Sequence, residues 1–327
     1  MRREIGLAAG AIAATALAVA ADLPKGYRQA VPRGLIQSID EPSFVPASRA
    51  TIPGDAWVLG VVVGGEARAY SLNLLNHFEI VNDRIGDLAF MAVWCPLANA
   101  AVVYGRTYGG QELRFEASGG LVNASLVMRD KETGSLWPIL RGKAETGPLA
   151  GTALEELPVG VKARWDDWVR EHPGTLVLSV RGHEHVRENA YSDYFSSRTG
   201  FGMTSARDRR LDTKEPIRAF ELDRRRFAVP LRDVEGGAAV SAGNRHVFLY
   251  RPPGAALFLS TRAFESPGRF VPRDGAWAHE PSGAAFDPGR GAFAGNPAGV
   301  RPLGGFDTFW YVWSLTHPDT EVPTPGS

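Results

Sequence analysis

Hydrophobic and polar positions alternate with a period of two over most of the chain, which predicts strands rather than helices. Trp57 to Val63 and Glu66 to Tyr70 are two such runs around Gly64-Gly65, the signature of a two-residue hairpin. Ser71 is placed to cap a short helix through Leu72, Leu74 and Leu75. Phe78 to Val81 and Leu88 to Trp94 read as further strands. Ala101 to Tyr104 and Glu112 to Phe115 flank Gly109-Gly110, and Leu126 to Met128 and Ser135 to Trp137 flank Glu132-Thr133-Gly134. A helical pattern from Trp165 to Arg170 stops before Pro173, because proline cannot continue a helix. Before Trp57, Pro24 to Gly54 is proline-rich and weakly periodic, as expected of a leader wrapping the first domain.

The pattern then returns. Arg68-Ala69-Tyr70-Ser71-Leu72 has a counterpart in Arg218-Ala219-Phe220-Glu221-Leu222, and Asp83-Arg84-Ile85-Gly86 in Asp233-Val234-Glu235-Gly236. Ala150-Gly151-Thr152 returns as Ala294-Gly295-Asn296. Trp165, Trp168 and His172-Pro173-Gly174-Thr175 return as Trp310, Trp313 and His317-Pro318-Asp319-Thr320, with the same internal spacing. The expected fold is therefore α+β and predominantly β, with two tandem copies of one β-rich module, each closed by a short Trp-containing helix. The expected boundaries are a signal peptide (1–20), a leader (21–55), a first repeat (56–180), a connection (181–215), a second, degenerate repeat (216–321) and a tail (322–327). Gly275 to Gly291 reads as a loose, Gly- and Ala-rich stretch of the second copy. Tryptophans at i, i+3 share one helix face and are expected to bury, and His172 and His317 read as helix ends.

Composition changes this picture little. The chain has 327 residues, 44% hydrophobic and 22% charged, an ordinary globular balance. Lys+Arg and Asp+Glu are equal at 36 each, so no net charge steers the chain toward nucleic acid. The basic runs at Arg207 to Arg210 and Arg224 to Arg226 have acidic neighbours and read as solvated loops. The N-terminus adds more. Arg2 and Arg3, an apolar Ile5 to Val19 and a closing Ala18-Val19-Ala20 form a signal-peptide pattern, which places the protein in the periplasm or outside the cell. The apolar run is short for a membrane span, and no later segment is long and apolar enough to be one. Partners are then to be sought among envelope components. Export permits disulfides, but the single cysteine, Cys95, excludes an internal one.

Aligning the copies on Tyr70 and Phe220 places His77 opposite Phe227, Glu79 opposite Val229, Asn82 opposite Arg232 and Cys95 opposite Arg251. Residues present in both copies are expected to serve the fold. The unshared His77, Glu79, Asn82 and Cys95 form the candidate site. If extended, His77 and Glu79 point to one face. A thiolate beside an imidazolium is a good nucleophile or soft metal ligand. His183-Glu184-His185 has the arrangement of a metal pair, but lies in the polar connection and reads as solvated loop.

His77-Phe78-Glu79-Ile80-Val81-Asn82-Asp83, Trp94-Cys95-Pro96-Leu97, Gly120 to Met128, Asp130 to Trp137 and the two Trp/His-Pro blocks together resemble the domain-of-unknown-function 3179 family of exported bacterial and archaeal proteins, over Ala56 to Thr320. That resemblance implies no settled activity. Many members carry Cys-Pro-Leu-Cys; Ala98 stands at the second cysteine here, so a dithiol couple within this motif is excluded. Three readings stay open. The first is a periplasmic metal-binding protein using Cys95 and His77, with Glu79 or Met91 or Met128 as further ligands, for copper or zinc. The second is a cysteine-dependent enzyme on a small or envelope substrate, with Cys95 attacking, His77 as base and Glu79 or Asn82 orienting it. The third is a non-catalytic envelope interaction module in which the cluster is structural.

Overall fold

A computed structural model describes residues 23–326, so the signal-peptide segment lies outside the described residues. The chain is predominantly β, with 42% strand and 13% helix, and its five larger sheets are arranged like propeller blades. Residues ahead of Trp57 run along the body: Tyr27–Gln29 pairs with Phe115–Val122, and Ser43–Pro46 pairs with Leu176–Ser179. No helix among the described residues is long and apolar enough to cross a membrane.

Trp57–Val63 and Glu66–Ser71 form the first hairpin, and both turn glycines take the positive φ that a two-residue turn of this hand requires. The outer edge of Trp57–Val63 pairs with Gly160–Arg164, which feeds directly into the helix Trp165–Glu171. In the second half, Pro216–Leu222 and Arg225–Pro230 form a hairpin, and Pro216–Leu222 pairs with Phe306–Phe309, which feeds the helix Trp310–Thr316. Both helices bury their i, i+3 tryptophans, and His172 and His317 pack at a tilt against Trp168 and Trp313 with ring centroids 4.1 and 4.3 Å apart.

This connectivity corrects the alignment on Tyr70 and Phe220. Tyr70 lies on the second strand of its hairpin, but Phe220 lies on the first strand of the other. The hairpin partner of the Gly64-Gly65 turn is Asp223-Arg224, where both residues also adopt positive φ. A short Arg-Ala-aromatic match slides easily between adjacent strands, since every strand repeats with period two.

The central sheet joins Ile80–Ile85, Leu88–Cys95 and Ala100–Gly105, all antiparallel. Its two faces enter different cores. Val81, Phe90, Ala92 and Trp94 pack on Leu59, Tyr70 and Leu75. Ile80, Met91, Val93 and Cys95 pack on Phe115, Met128 and Trp137, and also on Ile217, Ala228, Trp310, Tyr311 and Trp313 from the second half. Burial on both faces explains why Leu88 to Trp94 is a nearly unbroken apolar run. It also means that the two halves share one core. The stretch read as loose contributes to a further aromatic cluster: Phe286 packs with Phe248, Phe270 and Phe293. Four aromatics spread from Phe248 to Phe293 have no local signature, which is why the sequence pattern missed them.

Candidate functional site

Ser71 caps Leu72–Leu75, its Oγ accepting from the Leu74 amide at 3.5 Å. The turn then runs on rather than opening into a strand. The amides of His77 and Phe78 donate to Leu74 and Leu75, and Glu79 donates to the Leu75 carbonyl at 2.8 Å. Glu79 ends the turn with φ of 57°, an uncommon conformation for a side chain with a Cβ. The strand begins only at Ile80. His77 and Glu79 therefore share no strand face: His77 is exposed, while Glu79 is buried. His77 borders a mainly apolar cavity of about 610 Å³ together with Leu74, His183 and His185. The solvated-loop reading of His183-Glu184-His185 is also corrected. Glu184 is buried and accepts from Ser179 Oγ at 2.7 Å, and His185 Nδ1 meets Ser71 Oγ at 2.8 Å.

Cys95 ends the central strand and is 1% exposed. The single turn Pro96–Ala98 turns its amides back on the sulfur, so Sγ accepts from Leu97, Ala98 and, at 3.4 Å, Leu126. Burial, joined by the charge of Glu79, still pushes the thiol up to about 12 against those hydrogen bonds. Burial alone raises Glu79 to about 7, and among the described residues its carboxylate has no hydrogen-bond partner. Three tyrosines close the site. Tyr194 donates to the Leu97 carbonyl at 2.5 Å and meets the Tyr311 hydroxyl at 2.8 Å. Tyr191 is pushed up to about 12 by burial and then by the charges of Glu79 and Cys95.

The structure thus brings Cys95 and Glu79 into electrostatic reach and leaves His77 and Asn82 out of their company. Asn82 is a clamp: its Nδ2 donates to Asp40 Oδ1 at 2.9 Å and to the Phe115 carbonyl at 2.8 Å, and its Oδ1 accepts from the Phe115 amide at 2.8 Å. With its amide fully engaged it cannot orient an imidazole. Met91 and Met128 pack in the same core as Cys95, but among the described residues no three His, Cys, Asp or Glu side chains converge to hold an ion. Cys95, His77 and Glu79 are therefore not gathered into a three-residue ligand group among the described residues.

A second location escaped the sequence reading. Where the halves meet, a cavity of about 520 Å³ lies between Val103, Gly160 and Glu156 on one side and Arg218, Arg262 and Asp307 on the other. Asp307 is buried; burial alone would raise its carboxyl, but Arg218, Lys162 and Arg251 together hold it below the usual range. Its oxygens accept from the Thr261 amide at 2.8 Å and the Thr261 hydroxyl at 2.5 Å. Lys162 is equally buried, donates to the Asn99 carbonyl at 2.9 Å and is brought down to about 8 by burial. The available signal was a charge inside an apolar strand, as in Ile217-Arg218-Ala219, Val161-Lys162-Ala163 and Phe306-Asp307-Thr308. Such charges are rarely buried unless paired. Matching Arg218 to Arg68 as shared scaffold hid it.

Comparison with known proteins adds a family and no activity. No curated protein and no solved structure matches the chain. One family model, described as "Protein of unknown function (DUF3179)", matches residues 33–320. That match takes in nearly the whole chain, including the Cys95 junction and the cavity between the halves, and the protein belongs to this DUF3179 family.

Proposed function

We propose that this chain is an exported, non-covalent binding module, with the cavity between its halves as the ligand site and the Cys95 cluster as framework. The observation that carries this reading is the enclosure of Cys95. The thiol is almost fully buried, borders neither cavity, accepts three backbone hydrogen bonds and is held protonated by its surroundings. A thiol must ionise and reach its target to act as nucleophile or soft ligand. Ligand sites, by contrast, favour concave seams with a few convergent polar groups. Export rests on the pattern of residues 1–20. The parallel connectivity of the two Trp-helix halves supports their descent from one module.

Native alkylation tests the reading. Iodoacetamide at pH 8 is expected to leave Cys95 largely unmodified for hours and to label it fully after denaturation in urea. Labelling of the folded protein within minutes would overturn the framework role. In the same protein, added copper or zinc is expected to bind no more tightly to wild type than to Cys95→Ser.

One observation favours thiol chemistry as a second reading. Glu79 is a buried, unpaired carboxyl near 7, held in a left-handed conformation beside the thiol, and strained, perturbed groups of this kind concentrate at functional sites. On that reading Glu79 is the base for Cys95, and Glu79→Gln slows any native alkylation by about tenfold or more. On the framework reading the substitution does not slow it, since removing the Glu79 charge lowers the thiol's pKa.

A further inference from the structure

We propose that the cavity between the halves takes a small molecule carrying one anionic group, a carboxylate or a phosphate, on an apolar body; this rests on the binding reading above and names its ligand class. Arg218, Arg262, Lys162 and Arg251 lie on or directly behind its wall with the carboxylates Glu156 and Asp307 among them, while Glu171 faces Arg262 and Glu235 faces Arg251. Asp307 is shared by three of those cations. Arg218 stands 3.9 Å from it and spends its terminal nitrogens on the Gly305 and Leu303 carbonyls, at 3.1 and 3.0 Å. Arg218 is 6% exposed, and its Nε has no partner among the described residues. Glu156 is already engaged by the Gly305 amide at 2.6 Å, and burial raises its carboxyl toward the neutral form.

That leaves Arg262. It lines the cavity, is half-buried, and its side chain makes no hydrogen bond or ion pair among the described residues. Burial lowers its pKa, opposed only by Glu171, whose side chain is exposed. This half-buried guanidinium has five donors and no protein acceptor among the described residues, so an anion entering the cavity replaces the water it otherwise meets. Gly291 lies close alongside: a Cβ there would stand 2.7 Å from the Arg262 Nε. Phe264, Phe293, Val300 and Leu303 supply the apolar part of the wall. An anion meeting Arg262 with its remainder against these side chains satisfies both features.

Isothermal titration of the full chain at pH 7 and low salt tests this with four probes of similar size: benzoate, phenyl phosphate, benzyl alcohol and benzylamine. Benzoate or phenyl phosphate, or both, are expected to bind at least about tenfold tighter than the neutral and cationic probes, the worth of one charge-assisted hydrogen bond. Arg262→Gln is expected to remove that preference without changing the urea midpoint. Ala292→Phe, which fills the cavity, is expected to abolish binding. Equal binding of benzyl alcohol or benzylamine, or an unchanged anion affinity in Arg262→Gln, would overturn the ligand class and leave the binding reading standing. No heat from any probe, or binding that survives Ala292→Phe in a folded variant, would overturn both.

Discussion

Glu79 leaves a mark on stability that can be read without knowing a ligand. Burial holds its folded-state carboxyl at about 7, against an ordinary 4.5. The folded state therefore binds its proton more tightly than the unfolded state does. The resulting stabilisation is present in full below about pH 4.5 and is lost as pH rises through 7, a swing of about 3 kcal/mol. His317 works in the opposite sense. Burial drives it down to about 4 while its Nε2 donates to the Leu140 carbonyl at 2.7 Å, so its neutral form favours folding and stability falls as pH drops below about 6.5. The two effects overlap between 4.5 and 6.5. Urea unfolding of wild type and Glu79→Gln across pH 4 to 8 separates them: the variant is expected to lose the decline toward pH 8 and keep the decline toward pH 4. Identical slopes would mean that Glu79 is solvated in solution. None of this could be read from residue type alone. The sequence marked His77, Glu79 and Cys95 as unusual, but the overrunning turn at His77 decided that Glu79 goes inside and His77 stays outside.

At the scale of elements, the two Trp helices differ in one hydrogen bond. Trp168 Nε1 donates to Thr175 Oγ1 at 3.0 Å, whereas Trp313 Nε1 is buried with no partner among the described residues and Thr320 Oγ1 turns to the His317 carbonyl instead. Trp168→Phe removes a made bond and leaves the Thr175 hydroxyl only its bond to the Leu176 carbonyl at 3.5 Å; Trp313→Phe removes an unsatisfied donor. The first substitution is expected to cost about 1–2 kcal/mol more than the second in chemical denaturation, after allowance for equal loss of ring area. Equal costs would show that a water satisfies Trp313. The helices were legible beforehand because tryptophans three apart, followed by His-Pro, combine a buried face with a stop. The partner of each indole was not legible, because it depends on how the loop after His317 folds back.

For the whole molecule, the consequential fact is the shared core. Cys95, Met128 and Trp137 pack with Ile217, Trp310 and Trp313 in one cluster, so neither half is closed alone. The protein is expected to unfold in one transition, with near-ultraviolet circular dichroism and tryptophan fluorescence coinciding in urea. A fragment ending at residue 180 exposes the face of Cys95 and is expected to lose cooperative unfolding and bind a hydrophobic dye. Two separated transitions, or a cooperative fragment, would show instead that the halves fold independently.

The residues by themselves determined the β character, the hairpin turns at Gly-Gly, the Trp helices with their histidine ends, the absence of an internal disulfide and the family likeness. Each of these follows from local periodicity, from a turn residue or from a count, and survives without knowing what packs where. Tertiary structure alone decided that His77 faces a separate apolar cavity, that Asn82 is a clamp, that the Cys95 thiol is sealed by Tyr191, Tyr194 and Tyr311, and that Arg218, Arg262 and Asp307 meet between the halves. Those are consequences of burial and of long-range pairing. Desolvation and neighbouring charge depend on residues more than a hundred positions away, and no local pattern in the chain encodes them.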